Sequence, residues 1–238
     1  MSANPDIVYV LRDGENEELR YSLRTLVNLP HNRVFFYGGK PNWLKTNNYV
    51  PVKQTGSKWQ NTSTLYKEIV DNENISEDFI LMNDDFFILN PVEKLEYFYE
   101  GNLTDRAKRT ILTDVWGKKR QSNYGSFLAE ADTFLKAKGY GNNNYELHIP
   151  MSLNRNKLKQ ILEMASGIAW SARRSLYGNI WQVGGTCVKR DCKLYPRDTL
   201  PQDIEKWNFV STTDVSFRQG RIGSYIKSKF KEKSIYEA

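Results

Sequence analysis

The chain has 238 residues, of which 39% are hydrophobic and 13% aromatic, and this is enough to bury a full core. Its 34 lysine and arginine residues exceed its 28 aspartate and glutamate residues, and the resulting net charge of +6 suits phosphorylated substrates without by itself indicating nucleic acid. No apolar run approaches the ~18 residues of a membrane span, and the first ten residues show no signal-peptide pattern, so we expect a cytoplasmic protein in which Cys187 and Cys192 stay reduced.

The beginning of the chain alternates between strand and helix in the manner of a parallel α/β sheet. Residues 6–11 form an apolar strand, residues 17–29 carry apolar side chains at helical spacing, and residues 34–37 form a second strand. The pattern further predicts a short element over 43–52, helices over 61–70, 153–164, 168–176 and 223–237, a buried strand within 79–89 and a late strand over 207–211. Residues 100–145 are less regular, and 139–145 predict a loop. These elements predict an α/β fold with a mostly parallel sheet, flanking helices and a helical C-terminal part.

An amide and two adjacent carboxylates, Asn83, Asp84 and Asp85, lie between two apolar runs of strand length. Ionised carboxylates left unpaired there would cost several kcal/mol, so a divalent cation, a nearby Arg or Lys, or the open end of a sheet must compensate. Mg²⁺ or Mn²⁺ commonly takes one or two carboxylates together with phosphate oxygens. The alternative is a simple turn or helix cap. Both carboxylates can face one pocket only if the strand ends there, since neighbouring strand residues point to opposite faces.

Two further candidates lie near the first strand. Asp13 and Gly14 end that strand, and in a parallel sheet they would share an edge with Asp84, where a carboxylate can bind a ribose hydroxyl or a base; the alternative is an ordinary turn. Arg20 and Arg24 are one helical turn apart and are candidates for binding phosphate, although they also fit a solvated helix face.

The second half of the chain contributes a histidine and a pair of arginines. His148 is a candidate for proton transfer because its ordinary pKa lies near ~6.5, and the alternative is a structural histidine beside apolar neighbours. Arg173 and Arg174 lie near the end of a predicted helix, where they could neutralise a phosphate or simply complement the helix dipole.

Four stretches together resemble the sequence blocks of the Stealth family, the bacterial capsular polysaccharide phosphotransferases to which the catalytic subunit of lysosomal GlcNAc-1-phosphotransferase is similar. In chain order, the blocks that carry the resemblance are Asp6 to Gly14, Glu18 to Arg24 with Phe79 to Phe87, His148 to Pro150 with the helix after it, and Ser211 to Asp214 with the tail through Glu237. The first block has Leu11 and Arg12 where the family usually has Trp and Val. The fourth has Thr213 before Asp214 in place of a second acid, and lacks the family's two prolines.

The resemblance implies a GT-A-like core in a single domain, with residues 1–99 binding a nucleotide-sugar and residues 100–238 completing the acceptor side. It implies transfer of a sugar 1-phosphate to an acceptor hydroxyl of a glycan, assisted by Mg²⁺ or Mn²⁺. The residues it assigns are, in the nucleotide and phosphate sites, Asp13, Gly14, Arg20, Arg24 and Asn83, and, in catalysis, Asp84, Asp85, His148, Asp214 and Arg174, with Asp84 and Asp85 as the metal ligands.

Several alternatives to this function stay open on the sequence. An ordinary glycosyltransferase would pass the sugar alone and release a nucleoside diphosphate, and its acceptor could be nucleic acid. A basic nucleic-acid-binding protein, which we do not favour, would bind in a strongly salt-dependent way. A sugar-binding module without catalysis would bind a donor and form no product.

Overall fold

Strands and helices alternate along the computed structural model, which describes residues 4–113, 115–166 and 172–238. The strands are β1 (Asp6–Leu11), β2 (Val34–Gly38), β3 (Tyr49–Pro51), β4 (Asp78–Asn83), β5 (Phe86–Ile88), β6 (Phe98–Tyr99), β7 (Ile111–Thr113), β8 (Lys119–Gln121), β9 (Met151–Asn154), β10 (Thr186–Cys187) and β11 (Phe209–Ser211). The α-helices are α1 (Glu17–Arg24), α2 (Lys58–Asp71), α3 (Leu103–Lys108), α4 (Asn123–Ala137), α5 (Arg155–Met164), α6 (Arg173–Ile180), α7 (Asp214–Gln219) and α8 (Arg221–Lys229).

The central sheet has five strands in the spatial order β3-β2-β1-β4-β9. The first four are parallel, and β9 pairs antiparallel with β4 at the edge. This arrangement confirms the predicted α/β fold with a mostly parallel sheet and flanking helices, and α5 to α8 form the predicted helical C-terminal part.

Apolar side chains on both faces of the strands build two core layers, as expected for a sheet covered on each side. On β1, Val8 packs into the layer that contains α2 and α5, whereas Ile7 and Tyr9 pack into the layer that contains α1. The neighbouring β4 alternates in the same way, with Leu81 in the first layer and Met82 in the second. Burial on both faces explains why these strands are continuous apolar runs in the sequence.

The strand order creates a crevice at the carboxyl ends of β1 and β4. From β1 the chain moves outward to β2 and β3, and then returns to the opposite side of β1 to form β4. The connections that follow β1 and β4 therefore lead in opposite directions, and such a switch point is where open α/β sheets bind ligands. Arg12 and Asp84 lie at this point, because each is the first residue after its strand.

Several predicted elements differ from the structure. The region 100–145 was expected to be less regular, yet it contains α3, a β7–β8 hairpin and the 15-residue α4. Ser122 caps α4 by accepting a hydrogen bond from the Gly125 amide at 3.0 Å. The buried face of the helix includes small residues such as Ala131, so its helical pattern of apolar residues is weak in the sequence. The predicted helix over 61–70 begins earlier, at Lys58, because Ser57 forms the capping box.

The C-terminal elements also need correction. The predicted helix over 168–176 is α6, which begins at Arg173, and residues 168–171 lie outside the described residues. The helix predicted over 223–237 is α8 and ends at Lys229. The helix predicted over 153–164 is confirmed as α5 after the short strand β9, with Asn154 as its cap. Within the described ranges, no helix has the length and apolar character needed to cross a membrane.

Candidate active site

The strand that precedes Asp84 ends at Asn83, and residues 84 and 85 form the two-residue turn between β4 and β5. Because the strand ends there, Asp84 and Asp85 both line the same cavity of about 570 Å³, which we call the carboxylate cavity. The other side chains on its wall that matter for the chemistry are Arg12, Glu18, Lys58, Asn83, Lys193 and Asp214.

Pairing between β5 and β11 brings the last polar residues of the site into place. The two strands are antiparallel, with Ser211 opposite Phe86, so the chain after β11 passes directly beside the turn at Asp85. Thr212 then donates to Glu18 at 2.5 Å, and Thr213 caps α7, whose first residue is Asp214. A residue 130 positions away in sequence from Asp84 therefore reaches the same cavity.

Arg12 is the cation shared by the acidic side chains of this cavity. Its guanidinium donates to Glu18 at 2.8 Å and lies 3.4 Å from both Asp84 and Asp214. Asn16 adds a hydrogen bond to Asp84 at 2.6 Å. The predicted residue Asp214 is thus brought to the carboxylate pair through Arg12.

One positive charge does not fully compensate these carboxylates. Burial, the largest cause, together with the charges of Asp85 and Asp84, raises the pKa of Glu18 to about 7, against the opposing effects of Thr212 and Arg12. Burial and the neighbouring Asp85 likewise raise the pKa of Asp84, although Arg12 and Asn16 oppose the shift. The ionised forms of Glu18 and Asp84 are therefore disfavoured in this cavity, and a further cation would stabilise them.

Asp85 has its own cation on the opposite side of the turn. Lys193 donates to its Oδ2 at 2.9 Å and Ser211 to the same atom at 3.2 Å. Both Asp85 and Lys193 are largely buried. Lys193 was not among the sequence candidates, since a single lysine in an irregular segment carries no pattern.

The residues of the carboxylate cavity fit a divalent cation only in part. Within residues 4–113, 115–166 and 172–238, no group of three or more His, Cys, Asp or Glu side chains is arranged to hold a metal ion. Asp84 and Asp85 nevertheless supply the two hard oxygen ligands that Mg²⁺ or Mn²⁺ commonly takes when phosphate supplies others. The donor set fits a cation shared with a phosphorylated ligand and does not fit one held by protein alone.

A second cavity of about 390 Å³ adjoins the first and shares Val10, Lys58, Thr62, Asn83 and Lys193 with it. We call it the arginine cavity. Its wall also includes two arginines, Arg106 and Arg174, and the aromatic residues Trp59, Tyr66 and Tyr124. Two adjoining cavities that meet at Asn83 can hold two reactants side by side.

His148 lines the arginine cavity and is held by Asp191. Its Nδ1 lies 2.5 Å from Oδ2 of Asp191, while its backbone amide donates to Oδ1 of the same carboxylate at 3.0 Å. The ring hydrogen bond holds down the pKa of Asp191, although burial opposes this. A histidine oriented by a carboxylate can act as a general base through its other nitrogen.

Arg174 is one of the predicted residues that the structure brings to a cavity, but its setting differs from the expectation. Arg173 and Arg174 begin α6, whereas the sequence placed them near the end of a helix. A cation at a helix N-terminus is disfavoured by the dipole, so the alternative of a simple dipole complement is wrong. Instead, Arg174 is 7% exposed and donates to the carbonyls of Leu147 and Ile149, each at 2.7 Å.

The structure does not bring Arg20 and Arg24 to either cavity, contrary to their expected place beside the phosphates. Arg24 forms a bidentate pair with Glu237 at 2.8 and 2.7 Å and also donates to two carbonyls near the C-terminus. Arg20 stacks 4.3 Å from the Trp43 ring centroid. Their helical spacing places both arginines on the helix face that meets the C-terminal tail. From that spacing alone, the sequence could not show whether the anion they bind is a buried carboxylate or a phosphate.

Asp13 and Gly14 follow Arg12 at the carboxyl end of β1, the predicted edge of the sheet, and neither lines the carboxylate cavity. Asp13 is exposed and lies against Gly39 at the end of β2, where a Cβ atom on the glycine would be 2.5 Å from the Asp13 carboxylate. Gly14 has a φ of 115°, which side chains rarely adopt. Asp13 therefore lies on the β2 side of the crevice.

The sequence analysis missed two acidic residues of the site. Glu18 lies in the first turn of α1, where an acid is expected for the helix dipole alone. Asp191 lies in an irregular segment between Arg190 and Cys192, with no periodic signal. Long-range contacts define both roles, since Glu18 meets Thr212 and Asp191 meets His148.

Comparison with known proteins found no family model and no curated protein that matches the chain. The fold is similar to a solved complex of the galactosyltransferase LgtC with donor and acceptor sugar analogues, at 9% identity over 95% of this chain and 96% of that chain, with a TM-score of 0.42. An active-site mutant of LgtC gives 11% identity, the same coverage and a TM-score of 0.44. The glycosyltransferase GlyE of Streptococcus pneumoniae TIGR4 gives 10% identity over 97% of this chain and 50% of that chain, with a TM-score of 0.30.

Proposed function

We propose that the chain is a nucleotide-sugar-dependent transferase with a GT-A-like core, acting on an acceptor hydroxyl. The observation that carries the proposal is the pair of adjoining cavities at the switch point of the sheet. One contains the Asp84–Asp85 turn with Arg12, and the other contains His148 held by Asp191. Such an arrangement suits a phosphorylated donor beside a nucleophile that must lose a proton.

The carboxylate cavity is the donor side of this proposal. It lies at the carboxyl ends of β1 and β4, and Asp13 stands beyond it toward β2, where a ribose or base would extend. When bound, a divalent cation would neutralise charge on the leaving nucleotide, and Asp84 and Asp85 would hold it. Arg12 and Lys193 add fixed positive charge around the same phosphates.

The arginine cavity is the acceptor side, and its base is His148. The acceptor hydroxyl gives its proton to the ring nitrogen that does not face Asp191, and the carboxylate stabilises the resulting imidazolium. If a sugar is transferred, the acceptor oxygen bonds to the anomeric carbon and a nucleoside diphosphate leaves. If a sugar 1-phosphate is transferred, the oxygen bonds to the β-phosphorus and a nucleoside monophosphate leaves.

The Stealth resemblance supports the second of these reactions. The residues that carry it include the Asn83-Asp84-Asp85 turn, His148 and Asp214, all of which line one or both cavities. In this proposal, residues 1–99 hold most of the donor and residues 100–238 complete the acceptor side. Arg20 and Arg24 have no part in it, because Glu237 occupies Arg24 and Arg20 stacks on Trp43.

The proposal is tested by identifying the nucleotide that the protein releases. The protein is incubated with UDP- and GDP-sugars in the presence of Mn²⁺, with and without glycan acceptors, and the nucleotides are separated by chromatography. Release of nucleotide that depends on the enzyme supports a transferase. A nucleoside monophosphate indicates transfer of a sugar phosphate, and a nucleoside diphosphate indicates transfer of a sugar. Absence of release from every donor, with donor binding still measurable by calorimetry, would favour a sugar-binding module. The double variant Asp84→Asn, Asp85→Asn is the matched control for contaminating hydrolases.

A further inference from the structure

The arginine cavity contains a buried cation with an unsatisfied donor. Arg174 uses its Nη1 for the carbonyls of Leu147 and Ile149, which fixes the guanidinium in place. The Cζ atom of Arg174 lies 5.3 Å from the centroid of the Phe86 ring. The Nη2 of Arg174 is buried and meets no acceptor with full hydrogen-bond geometry among the described residues, although the guanidinium lies close to the Tyr66 hydroxyl and opposes the rise that burial causes in the pKa of Tyr66. A buried N–H left without an acceptor destabilises the fold.

Arg106 presents a second unsatisfied donor on the wall of the same cavity. Its Nε is also buried and meets no acceptor among the described residues, while the guanidinium lies beside the Tyr124 hydroxyl and opposes the rise that burial causes in the pKa of Tyr124. It comes from α3, whereas Arg174 comes from α6, so two distant parts of the chain direct guanidinium groups at one space. Arg155 has a similarly unsatisfied Nε but lines neither cavity. The convergence of Arg106 and Arg174, more than the unsatisfied atom itself, points to a ligand.

The charges around this cavity do not cancel. Four cationic side chains line it, namely Lys58, Arg106, Arg174 and Lys193, and Glu146 is the acidic residue on its wall. One carboxylate oxygen of Glu146 already accepts a hydrogen bond from the backbone amide of Ser175, in the first turn of α6, at 2.8 Å. Lys193 is paired with Asp85. An anion entering the cavity would therefore meet more positive than negative charge.

We propose that the arginine cavity binds a phosphoryl group carried by the acceptor, so that the acceptor of the proposed transferase is a phosphorylated molecule. The assignment of the phosphoryl group to the acceptor rests on the proposed function, whereas the binding of an anion in this cavity rests on the geometry alone. Planar guanidinium groups bind phosphate through paired hydrogen bonds. Three cations of separate origin, Lys58, Arg106 and Arg174, suit the three free oxygens of a phosphoryl group better than the two of a carboxylate. His148 on the same wall would then face the hydroxyl of that molecule.

The probe is inorganic phosphate, measured by calorimetry with no nucleotide and no divalent cation present. Arg106→Gln and Arg174→Lys are each expected to weaken phosphate binding at least 10-fold. Arg155→Gln is the matched control and is expected to leave it unchanged. Arg174→Lys keeps a charge that can reach the carbonyls of Leu147 and Ile149, and Arg106→Gln keeps the backbone hydrogen bond from residue 106 to the Asn102 carbonyl, so we expect both variants to fold. Circular dichroism checks the fold of each variant.

The same variants identify which reactant supplies the phosphoryl group. UMP and UDP affinities, measured with Mn²⁺, are expected to stay within two-fold of wild type. An equal loss of nucleotide and phosphate affinity would overturn the acceptor assignment and place the donor's phosphates here. Phosphate binding that is unchanged in both variants would overturn the site itself. If no donor is ever turned over, the proposed transferase fails, whereas selective loss of phosphate binding still supports the anion site.

Discussion

The Nδ1 atom of His148 lies 2.5 Å from Oδ2 of Asp191, a residue 43 positions later in the chain. The same carboxylate accepts from the amides of His148 and Cys192, at 3.0 and 2.8 Å. Three hydrogen bonds to one carboxylate fix both the ring and the segment after β10. The imidazole is therefore held in one orientation at the wall of the arginine cavity before any ligand arrives.

We expect His148→Ala to lower kcat by about 10²-fold or more, because a positioned general base contributes roughly 10²–10⁴-fold. Asp191→Asn should lower kcat by a smaller factor, since the ring remains and only its orientation and charge stabilisation are lost. Steady-state release of nucleotide measures both. Donor affinity by calorimetry is the control and should not change. A wild-type kcat in His148→Ala would exclude the histidine as the base.

We expect Asp84→Asn and Asp85→Asn each to abolish turnover while leaving the fold intact. The two carboxylates follow the end of β4 and line the carboxylate cavity, and the amide retains their size and an oxygen acceptor. Nucleotide release measures activity, and near- and far-ultraviolet circular dichroism measures folding. Full activity in both variants would defeat the assignment of this turn to the active site.

The buried charge of Glu18 predicts how stability depends on pH. Burial and the charges of Asp85 and Asp84 raise its pKa to about 7 from the ordinary 4.5. Between these values the native state keeps a proton that the unfolded chain has released, so this group's contribution to stability is lost as pH rises from 4.5 to 7. Glu18→Gln should therefore gain stability over wild type across that window, by up to ~3 kcal/mol.

Urea unfolding in EDTA at pH 4.5, 6 and 8 measures the effect in the two proteins. The variant keeps an acceptor for Thr212 and a side chain of the same size, so packing stays matched. A difference between the two proteins that does not change with pH would show that Glu18 is not the group that titrates.

A divalent cation is expected to stabilise the protein more at pH 8 than at pH 5. It binds ionised carboxylates, and at pH 5 it must displace protons from groups whose pKa the structure raises, Glu18 and Asp84. With UDP present, Mn²⁺ at 100 times its Kd would add about 2.7 kcal/mol at the higher pH. Thermal melts measure this without relying on activity. A shift equal in size in the Asp84→Asn, Asp85→Asn double variant would place the cation elsewhere.

Glu237→Gln is expected to destabilise the protein by about 3 kcal/mol, because breaking a buried ion pair leaves an uncompensated charge. The Glu237 side chain is 0% exposed and holds Arg24 through two hydrogen bonds. Donor affinity should stay within two-fold, since neither residue lines the carboxylate cavity or the arginine cavity. Chemical denaturation and calorimetry separate the two effects. A 10-fold loss of donor affinity in Arg24→Gln at unchanged stability would restore the phosphate role that the sequence suggested.

Local pattern was sufficient for β1, β2 and β4 of the central sheet and for the turn after β4, whereas the edge strand β9 was not predicted. Continuous apolar runs predicted β1, β2 and β4, because a strand buried on both faces carries few polar side chains between its ends. The same logic marked Asn83, Asp84 and Asp85, since polar residues between two such runs need a compensating partner. Helix α4 was missed because its buried face includes small residues and gives only a weak helical pattern.

The partners of the site residues were decided by tertiary structure. Arg12 reaches Asp214 only because β11 pairs with β5, and His148 reaches Asp191 only through a loop without periodicity. The sequence by itself therefore determined which residues needed a partner, since that follows from local burial and charge. Only the fold decided which partner each received, because hydrogen bonds and ion pairs depend on distances set by strand order and not by sequence separation. Arg24 is the clearest case, as its partner is the carboxylate of Glu237 where a phosphate had been expected.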